Sequence, residues 1–166
     1  MEAGRPDSIT AEKLSVLSEN GVTRISINPQ TMNNDTLRKI GRNHTAEDVA
    51  DSFHAARKAG FDNINMDTIC GLPGEGIREL ETTFKALGEL EPDSITVHAL
   101  AIKRSAPLNQ MRDQFSFGAD DEMIRFAQRA CFDLGMEPYY MYRQKNIPGN
   151  FENTGFSLEE KECLYN

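Results

Sequence analysis

Helical and extended patterns alternate along most of this chain, and this alternation constrains the fold more than any other feature. Isoleucines alternate with polar residues over 24–28, which predicts a strand, and residues 63–69 and 94–100 have the same extended character. Residues 45–59 and 77–90 instead place their apolar side chains on one helical face. Regular repetition of a strand and a helix is typical of parallel βα units.

We therefore predict an α/β fold with a parallel sheet flanked by helices. A complete eight-stranded barrel needs about 250 residues, so the 166 residues leave two alternatives, an open sheet or part of a barrel. The pattern is clear over residues 1–145, which we predict to be one domain. Residues 146–166 are weakly patterned and predict an irregular tail that leads to a further region.

Both ends of the chain look like cuts, because residues 2–6 resemble the end of a strand already under way. We therefore expect this chain to be a portion of a longer protein. The edge strands of an interrupted barrel would be open, and open edges favour self-association.

Charge and cysteine content exclude several classes of protein. The net charge of −8 is wrong for a dedicated nucleic-acid binder or for docking on an anionic membrane. No apolar run approaches the roughly 20 residues of a membrane span, and no basic segment leads into an apolar one near Met1. Three widely spaced cysteines, Cys70, Cys131 and Cys163, do not form a disulfide framework and suggest the reducing cytoplasm.

Ligands of parallel α/β proteins bind beyond the carboxyl ends of the strands, so the residues there are the first candidates for a site. Glu2, Gln30, Asp67 and His98 follow or end successive predicted strands and would line one mouth. The other residues at strand ends are Asn28, Cys70, Leu100, Arg143 and Gln144. Asp67 is the most informative, because a carboxylate within an apolar strand needs a partner or a ligand hydroxyl.

Each of these features also has a structural explanation. Asp67 could simply bond backbone amides at a strand end, and Cys70 and Cys131 are expected to be buried small apolar residues. Residues 71–76 suit a tight strand-to-helix turn better than a phosphate loop, because they lack Lys-Ser/Thr and the dinucleotide glycine spacing. The three histidines have no metal-ligand spacing, and Lys103 and Arg104 are typical of a solvated loop.

Several segments together resemble the oxygen-independent coproporphyrinogen III oxidase family of radical S-adenosylmethionine (SAM) enzymes. Residues 24–33 resemble the family's strand with Gly-Val-Gln-Ser, residues 40–44 its Leu-Gly-Arg-x-His, and residues 61–73 its Asp-Leu-Ile-x-Gly-Leu-Pro strand and turn. Residues 96–104 and 140–146 are similar to a branch of coproporphyrinogen dehydrogenase-like proteins. The resemblance covers nearly the whole chain.

This resemblance implies a six-unit (β/α) partial barrel that holds SAM and a [4Fe–4S] cluster. It also implies that Glu2, Gln30, Arg42 and Asp67 contact SAM. Asp67 and Gln30 suit the ribose hydroxyls, Arg42 suits the methionyl carboxylate, and Glu2 suits the methionyl ammonium. In the family, SAM chemistry removes hydrogen from the propionate side chains of a tetrapyrrole, which gives protoporphyrinogen IX in haem biosynthesis.

The sequence departs from the family at the cluster motif, at the glycine-rich segment that follows that motif in the family and is absent here, and just before Gln30. The family binds its cluster through Cys-x3-Cys-x2-Cys, whereas the cysteines here are 61 and 32 residues apart. We therefore expect no metal ligands in this chain and no reductive cleavage of SAM by the chain alone. Asn28 and Pro29 also replace the more usual Gly-Val before Gln30.

Two other functions remain open from the sequence. The chain could be a non-catalytic module that binds haem, another tetrapyrrole or a protein partner, with His98 and Tyr140 as ligands. It could also be a plain α/β domain that binds a phosphate at residues 71–76.

Overall fold

The computed structural model describes residues 2–101, 118–143, 149 and 151–163, with the side chains of Glu2 and Ala3 left out of that description. Gln144, Lys103 and Arg104 lie outside the described residues. The helices are α1 (Ala11–Glu19), α2 (Asn34–Lys39), α3 (Ala46–Lys58), α4 (Ile77–Leu90) and α5 (Asp121–Asp133). The strands are β1 (Glu2–Gly4), β2 (Arg24–Gln30), β3 (Asn63–Cys70), β4 (Ser94–Ala99), β5 (Glu137–Tyr142) and β6 (Asn153–Ser157).

The strands form one six-stranded sheet in the order β1-β2-β3-β4-β6-β5. Neighbouring strands from β1 to β4 are parallel, which confirms the predicted βα units. β6 runs antiparallel to both β4 and β5 and separates them, so the sheet is mixed. The sequence pattern predicts β5 but not β6, which lies within the segment expected to be an irregular tail. For residues 153–157 that expectation is wrong, since they form a strand that pairs on both sides, and all five are buried.

Local signals explain where the helices begin and end. Thr45 and Asp48 form a capping box at the start of α3, with each side chain bonded to the backbone of the other residue. The Asp120 carboxylate caps α5 by accepting from the Met123 amide at 2.8 Å. Gly21 and Gly60 follow α1 and α3 with φ values of 76° and 93°, which suit glycine at a helix end.

The two faces of the sheet have opposite character. Ile25, Ile27, Ile64, Met66 and Ile95 face the helices and are fully buried in one apolar core. The core is completed by helical side chains, among them Leu14, Val49, Phe53, Leu80, Phe84, Leu87 and Ala127. Most of the alternate residues of β2, β3 and β4 are polar and lie on the opposite face, among them Ser26, Asn65, Asp67, Thr96 and His98. This alternation follows from the two-residue period of a strand, and it places the candidate site residues together.

Within the described residues, no helix combines the length and the hydropathy needed to cross a lipid bilayer.

Candidate functional site

The polar face of the sheet carries a cleft of about 250 Å³. It is lined by side chains of β2, β3, β4 and β5, namely Arg24, Ser26, Asn65, Asp67, Thr96, His98, Tyr139, Tyr140 and Tyr142. A larger groove between α4 and α5 has a mainly apolar lining that includes Phe84 and Phe126. The cleft on the polar face is the better candidate, because it gathers ionisable groups and hydrogen-bonding groups in one place.

Asp67 lies in this cleft with 17% of its side chain exposed. Its Oδ1 accepts a hydrogen bond from Asn65 Nδ2 at 2.8 Å and lies 3.8 Å from His98 Nε2. Burial acts to raise the pKa of Asp67, but His98, Asn65 and Thr96 oppose it, and the pKa is lowered below its ordinary value. The carboxylate therefore carries a negative charge at neutral pH.

The structure brings Asp67 together with His98, as the strand-end argument predicts. β3 continues to Cys70, so Asp67 lies three residues before the end of its strand and not at the end. His98 occupies the neighbouring strand, where Asp67 pairs with Thr96 in the register. Asn65 is itself held by Thr96, whose hydroxyl donates to Asn65 Oδ1 at 3.1 Å. This bond directs the amide nitrogen of Asn65 towards Asp67.

Tyrosines of β5 close one side of the cleft. Tyr142 Oη lies 3.2 Å from His98 Nδ1, and the rings of Tyr140 and Tyr142 are parallel within 4°. Burial raises the pKa of Tyr140 to about 12. Tyr139 Oη lies 3.5 Å from Arg24 Nη2, which also donates to the Ser94 hydroxyl. Sequence reasoning did not assign these tyrosines to the cleft, apart from Tyr140 as a haem ligand.

The other predicted contacts of SAM lie at different places. Gln30 is buried at the end of β2, pairs with Thr68 of β3, and has a left-handed backbone with φ of 69°. Arg42 is partly buried beyond α2, and burial together with Arg5 lowers its pKa, while Asp7 opposes this. The backbone of Glu2 pairs with β2 at Ser26. Arg42 thus lies near the residues that follow β1, outside the cleft lining that contains Asp67.

Residues 71–76 form the tight strand-to-helix turn that the sequence predicts. Gly71 has φ of 85°, and its carbonyl accepts from the Gly118 amide at 2.8 Å. The first turn of α4 is already capped, because Glu79 Oε2 accepts from the Gly76 amide at 2.8 Å. Glu75 adds a buried carboxyl group beside it, with 7% exposed. A turn that holds two carboxyl groups is a poor site for a phosphate.

The two cysteines of the core do not fit a [4Fe–4S] cluster. Cys70 and Cys131 lie in the apolar core, and burial raises the pKa of both thiols, that of Cys70 to about 12. Cluster ligands are thiolates, which this environment disfavours. Among the residues that the structure describes, no group of His, Cys, Asp or Glu is arranged to hold a metal ion.

Residues 3–87 match the family model of the Radical SAM superfamily. The chain is 45% identical over 169 residues to the oxygen-independent coproporphyrinogen-III oxidase-like protein HemZ of Bacillus subtilis, covering 100% of this chain and 34% of that protein. It is 42% identical over 98 residues to the heme chaperone HemW of the same organism, covering 59% of this chain and 26% of that one. The chain thus spans about a third of the length of HemZ.

Among solved structures, the chain is similar to coproporphyrinogen III oxidase (HemN) from Escherichia coli, with a TM-score of 0.71 and 20% identity. That match covers 97% of this chain and 35% of the solved one. At this identity the similarity shows the fold alone, and it confirms the predicted fold class.

Proposed function

The chain belongs to the radical SAM superfamily, as its motifs predict, and from that premise we propose that it forms the SAM-binding part of an oxygen-independent coproporphyrinogen III oxidase-like protein. The whole protein would oxidatively decarboxylate propionate side chains of a tetrapyrrole. The observation that carries this proposal is the ionised Asp67 carboxylate in the polar cleft, within the segment that resembles the family's Asp-Leu-Ile-x-Gly-Leu-Pro motif.

The residues of the chain fit the SAM molecule in their chemistry. A carboxylate that stays ionised, such as Asp67, accepts hydrogen bonds from ribose hydroxyls, and Gln30 offers a second acceptor one strand away. Arg42 is a partly buried guanidinium, which suits a carboxylate through two parallel hydrogen bonds. When bound, SAM supplies the one-electron chemistry of the superfamily. The chain's contribution is to bind and orient it, with Glu2 proposed at the ammonium group.

The thiols of Cys70 and Cys131 do not fit the cluster. Buried Cys70 and Cys131 have raised pKa values and lie 61 residues apart in the sequence. Neither residue is therefore proposed as a ligand of the cluster. We propose that this chain alone does not carry out reductive chemistry on SAM.

A second function is favoured by one specific finding, the 42% identity to a protein named as a heme chaperone. In this alternative the chain binds haem or another tetrapyrrole without catalysis, through His98 and Tyr140 in the cleft. Addition of haem would then produce a shifted Soret band that His98→Ala abolishes. Binding of haem with an unchanged spectrum in His98→Ala would contradict this assignment of the ligand.

The primary test is thermal unfolding of the 166-residue chain with and without SAM. A ligand at 100 times its Kd stabilises the native state by about 2.7 kcal/mol, so a cooperative melt should move upwards. Asp67→Ala and Arg42→Ala should abolish the shift, whereas Asp51→Ala, which removes an exposed carboxylate from α3, should keep it. An equal shift in Asp67→Ala and in the wild type would contradict the proposed site.

A further inference from the structure

We propose that His98 is a positioning residue for the Asp67 carboxylate, and that Tyr142 of β5 sets the orientation and tautomer of His98. This inference rests on the proposed function in one respect, namely that Asp67 accepts hydrogen bonds from SAM. The arrangement itself is a line of three side chains, phenol to imidazole to carboxylate, taken from three different strands.

The distances and the chemistry of the groups indicate which side chain donates and which accepts at each contact. Tyr142 Oη and His98 Nδ1 are 3.2 Å apart, and a neutral phenol donates a hydrogen bond to an unprotonated ring nitrogen. Partial burial raises the pKa of Tyr142, so its hydroxyl stays protonated and remains a donor. With Nδ1 accepting, the neutral imidazole carries its proton on Nε2. That N–H group faces Asp67 Oδ1 across 3.8 Å.

Two neighbours of the carboxylate, Asn65 and His98, approach the same oxygen. Asn65 Nδ2 donates to Asp67 Oδ1 at 2.8 Å, and His98 Nε2 approaches that atom as well. The hydrogen bond from Asn65, together with the nearby N–H group of His98, favours one plane for the carboxylate, and its other oxygen, Oδ2, is the better placed to accept from a ligand hydroxyl. Preorganised acceptors of this kind bind more tightly, because less freedom is lost when the ligand arrives.

The other ionisable groups of the cleft have partners of their own. Arg24 Nη2 donates to the Ser94 hydroxyl at 3.0 Å and lies beside Tyr139. Arg24 and Ser94 are the first residues of β2 and β4, whereas Gln30 and His98 lie at or near the other ends of these strands. Tyr140 packs against Tyr142 with a ring-centroid distance of 6.0 Å, and its hydroxyl bonds to Thr96, which also bonds to Asp67. His98 is the side chain that links Tyr142 of β5 to Asp67.

The antiparallel strand β6 makes this link possible. β5 does not pair with β4, so a tyrosine of β5 reaches β4 only by crossing β6. The residue of β6 that pairs with Tyr140 is Gly155, and a Cβ atom there would overlap the Tyr140 ring. The missing side chain lets that ring lie on the backbone of β6, with the ring of Tyr142 parallel to it.

The tautomer of His98 tests the inference without any cofactor. Long-range 1H–15N spectra distinguish protonated from unprotonated ring nitrogens, and with three histidines in the chain a His98→Asn variant identifies the resonances. We expect the Nε2–H form in the wild type and a several-fold rise of the Nδ1–H form in Tyr142→Phe. Tyr139→Phe removes the same atom from the same strand and should leave His98 unchanged. A dominant Nδ1–H form in the wild type, or no change in Tyr142→Phe, would overturn the inference.

SAM titration of the same chain separates the two proposals. We expect His98→Leu to weaken SAM binding about tenfold and His98→Gln, which keeps an N–H donor, to recover most of the loss. If Asp67→Ala abolishes binding and His98→Leu binds like the wild type, the proposed site stands and the positioning role fails. If Asp67→Ala binds like the wild type, or the wild type does not bind SAM, the proposed function of this chain fails, whatever the tautomer of His98.

Discussion

Asp93 and Arg57 form an ion pair in which Oδ2 lies 2.7 Å from Nη1. The same carboxylate oxygen accepts from the Ile64 amide at 2.7 Å, and Arg57 donates to the carbonyl oxygens of Phe61 and Glu91. The pair therefore ties the end of α3 to the starts of β3 and β4. The pair lies at the amino ends of these strands, and the carboxyl ends carry the candidate site residues. By joining the two strands it stabilises the register between β3 and β4, on which the cleft depends.

Asp93→Ala should lower the free energy of unfolding by about 3 kcal/mol, because it leaves a buried amide and a partly buried guanidinium without their carboxylate. The Asp93 side chain is only 11% exposed. Glu152→Ala is the matched control, since it breaks the exposed pair with Arg143 and should cost about 0.5 kcal/mol. Urea denaturation measures both, and similar costs for the two variants would show that the Asp93 pair has no special role.

Gly71→Ala should be strongly destabilising for two separate reasons. The residue has φ of 85°, and a Cβ atom there would overlap the backbone of Gly118 and Ala119, which cannot rotate away as a side chain can. Gly41→Ala introduces backbone strain without steric overlap, because φ is 72° and nothing lies within 4 Å of the position of its Cβ atom. We expect about 1 kcal/mol for Gly41→Ala and about 3 kcal/mol or more for Gly71→Ala. Equal losses in thermal unfolding would mean that residues 118–119 do not pack on the turn.

Much of the fold could be predicted because its signals are local. The capping residues Thr45 and Asp48, the glycine after α3 and the two-residue period of β2 each act within a few positions of the chain. β6 could not be predicted in this way. Its sequence, residues 153–157, includes a glycine and has no alternation, and it becomes a strand because β4 and β5 pair with it on both sides.

Part of the candidate site could likewise be predicted from the sequence, and part of it could not. Asp67 and His98 could be predicted as candidates because ligands of parallel α/β proteins bind beyond the carboxyl ends of the strands. The contact of Tyr142 with His98 depends on the crossing over β6, and no spacing in the sequence indicates it. The location of Arg42 beside Arg5 also depends on the path of the chain after α2, which periodicity does not determine.

Glu75→Gln should make stability less dependent on pH. Burial raises the pKa of Glu75 above the value of about 4.3 for an unfolded chain, although the Thr31 hydroxyl donates to Oε1 at 2.7 Å and opposes this. Between the two pKa values the folded state binds more protons, so the free energy of unfolding falls as pH rises through that window. This loss of stability persists above the pKa of Glu75 in the folded state, and it disappears as pH falls below about 4.3.

The glutamine keeps the acceptor for Thr31 and removes the buried charge, which costs more to bury than an amide. We therefore expect Glu75→Gln to be more stable than the wild type at neutral pH, with a difference that shrinks towards pH 4. Melting temperatures between pH 4 and 8 measure this. Glu81→Gln changes an exposed residue of α4 and should follow the wild type. A constant difference across this range would contradict the raised pKa.

Gly155→Ala should disturb the tyrosine side of the cleft by steric overlap alone. Gly155 does not have positive φ, so alanine meets no backbone strain there, and the conflict is only with the Tyr140 ring. We expect a loss of about 2 kcal/mol from overpacking. In a Tyr140→Ala background the new methyl group has room, and the same substitution should cost less than about 0.5 kcal/mol, so the two changes are strongly non-additive. Additive losses in urea denaturation would show that the Tyr140 ring does not lie on Gly155, and would remove the support of β6 for the contact between Tyr142 and His98.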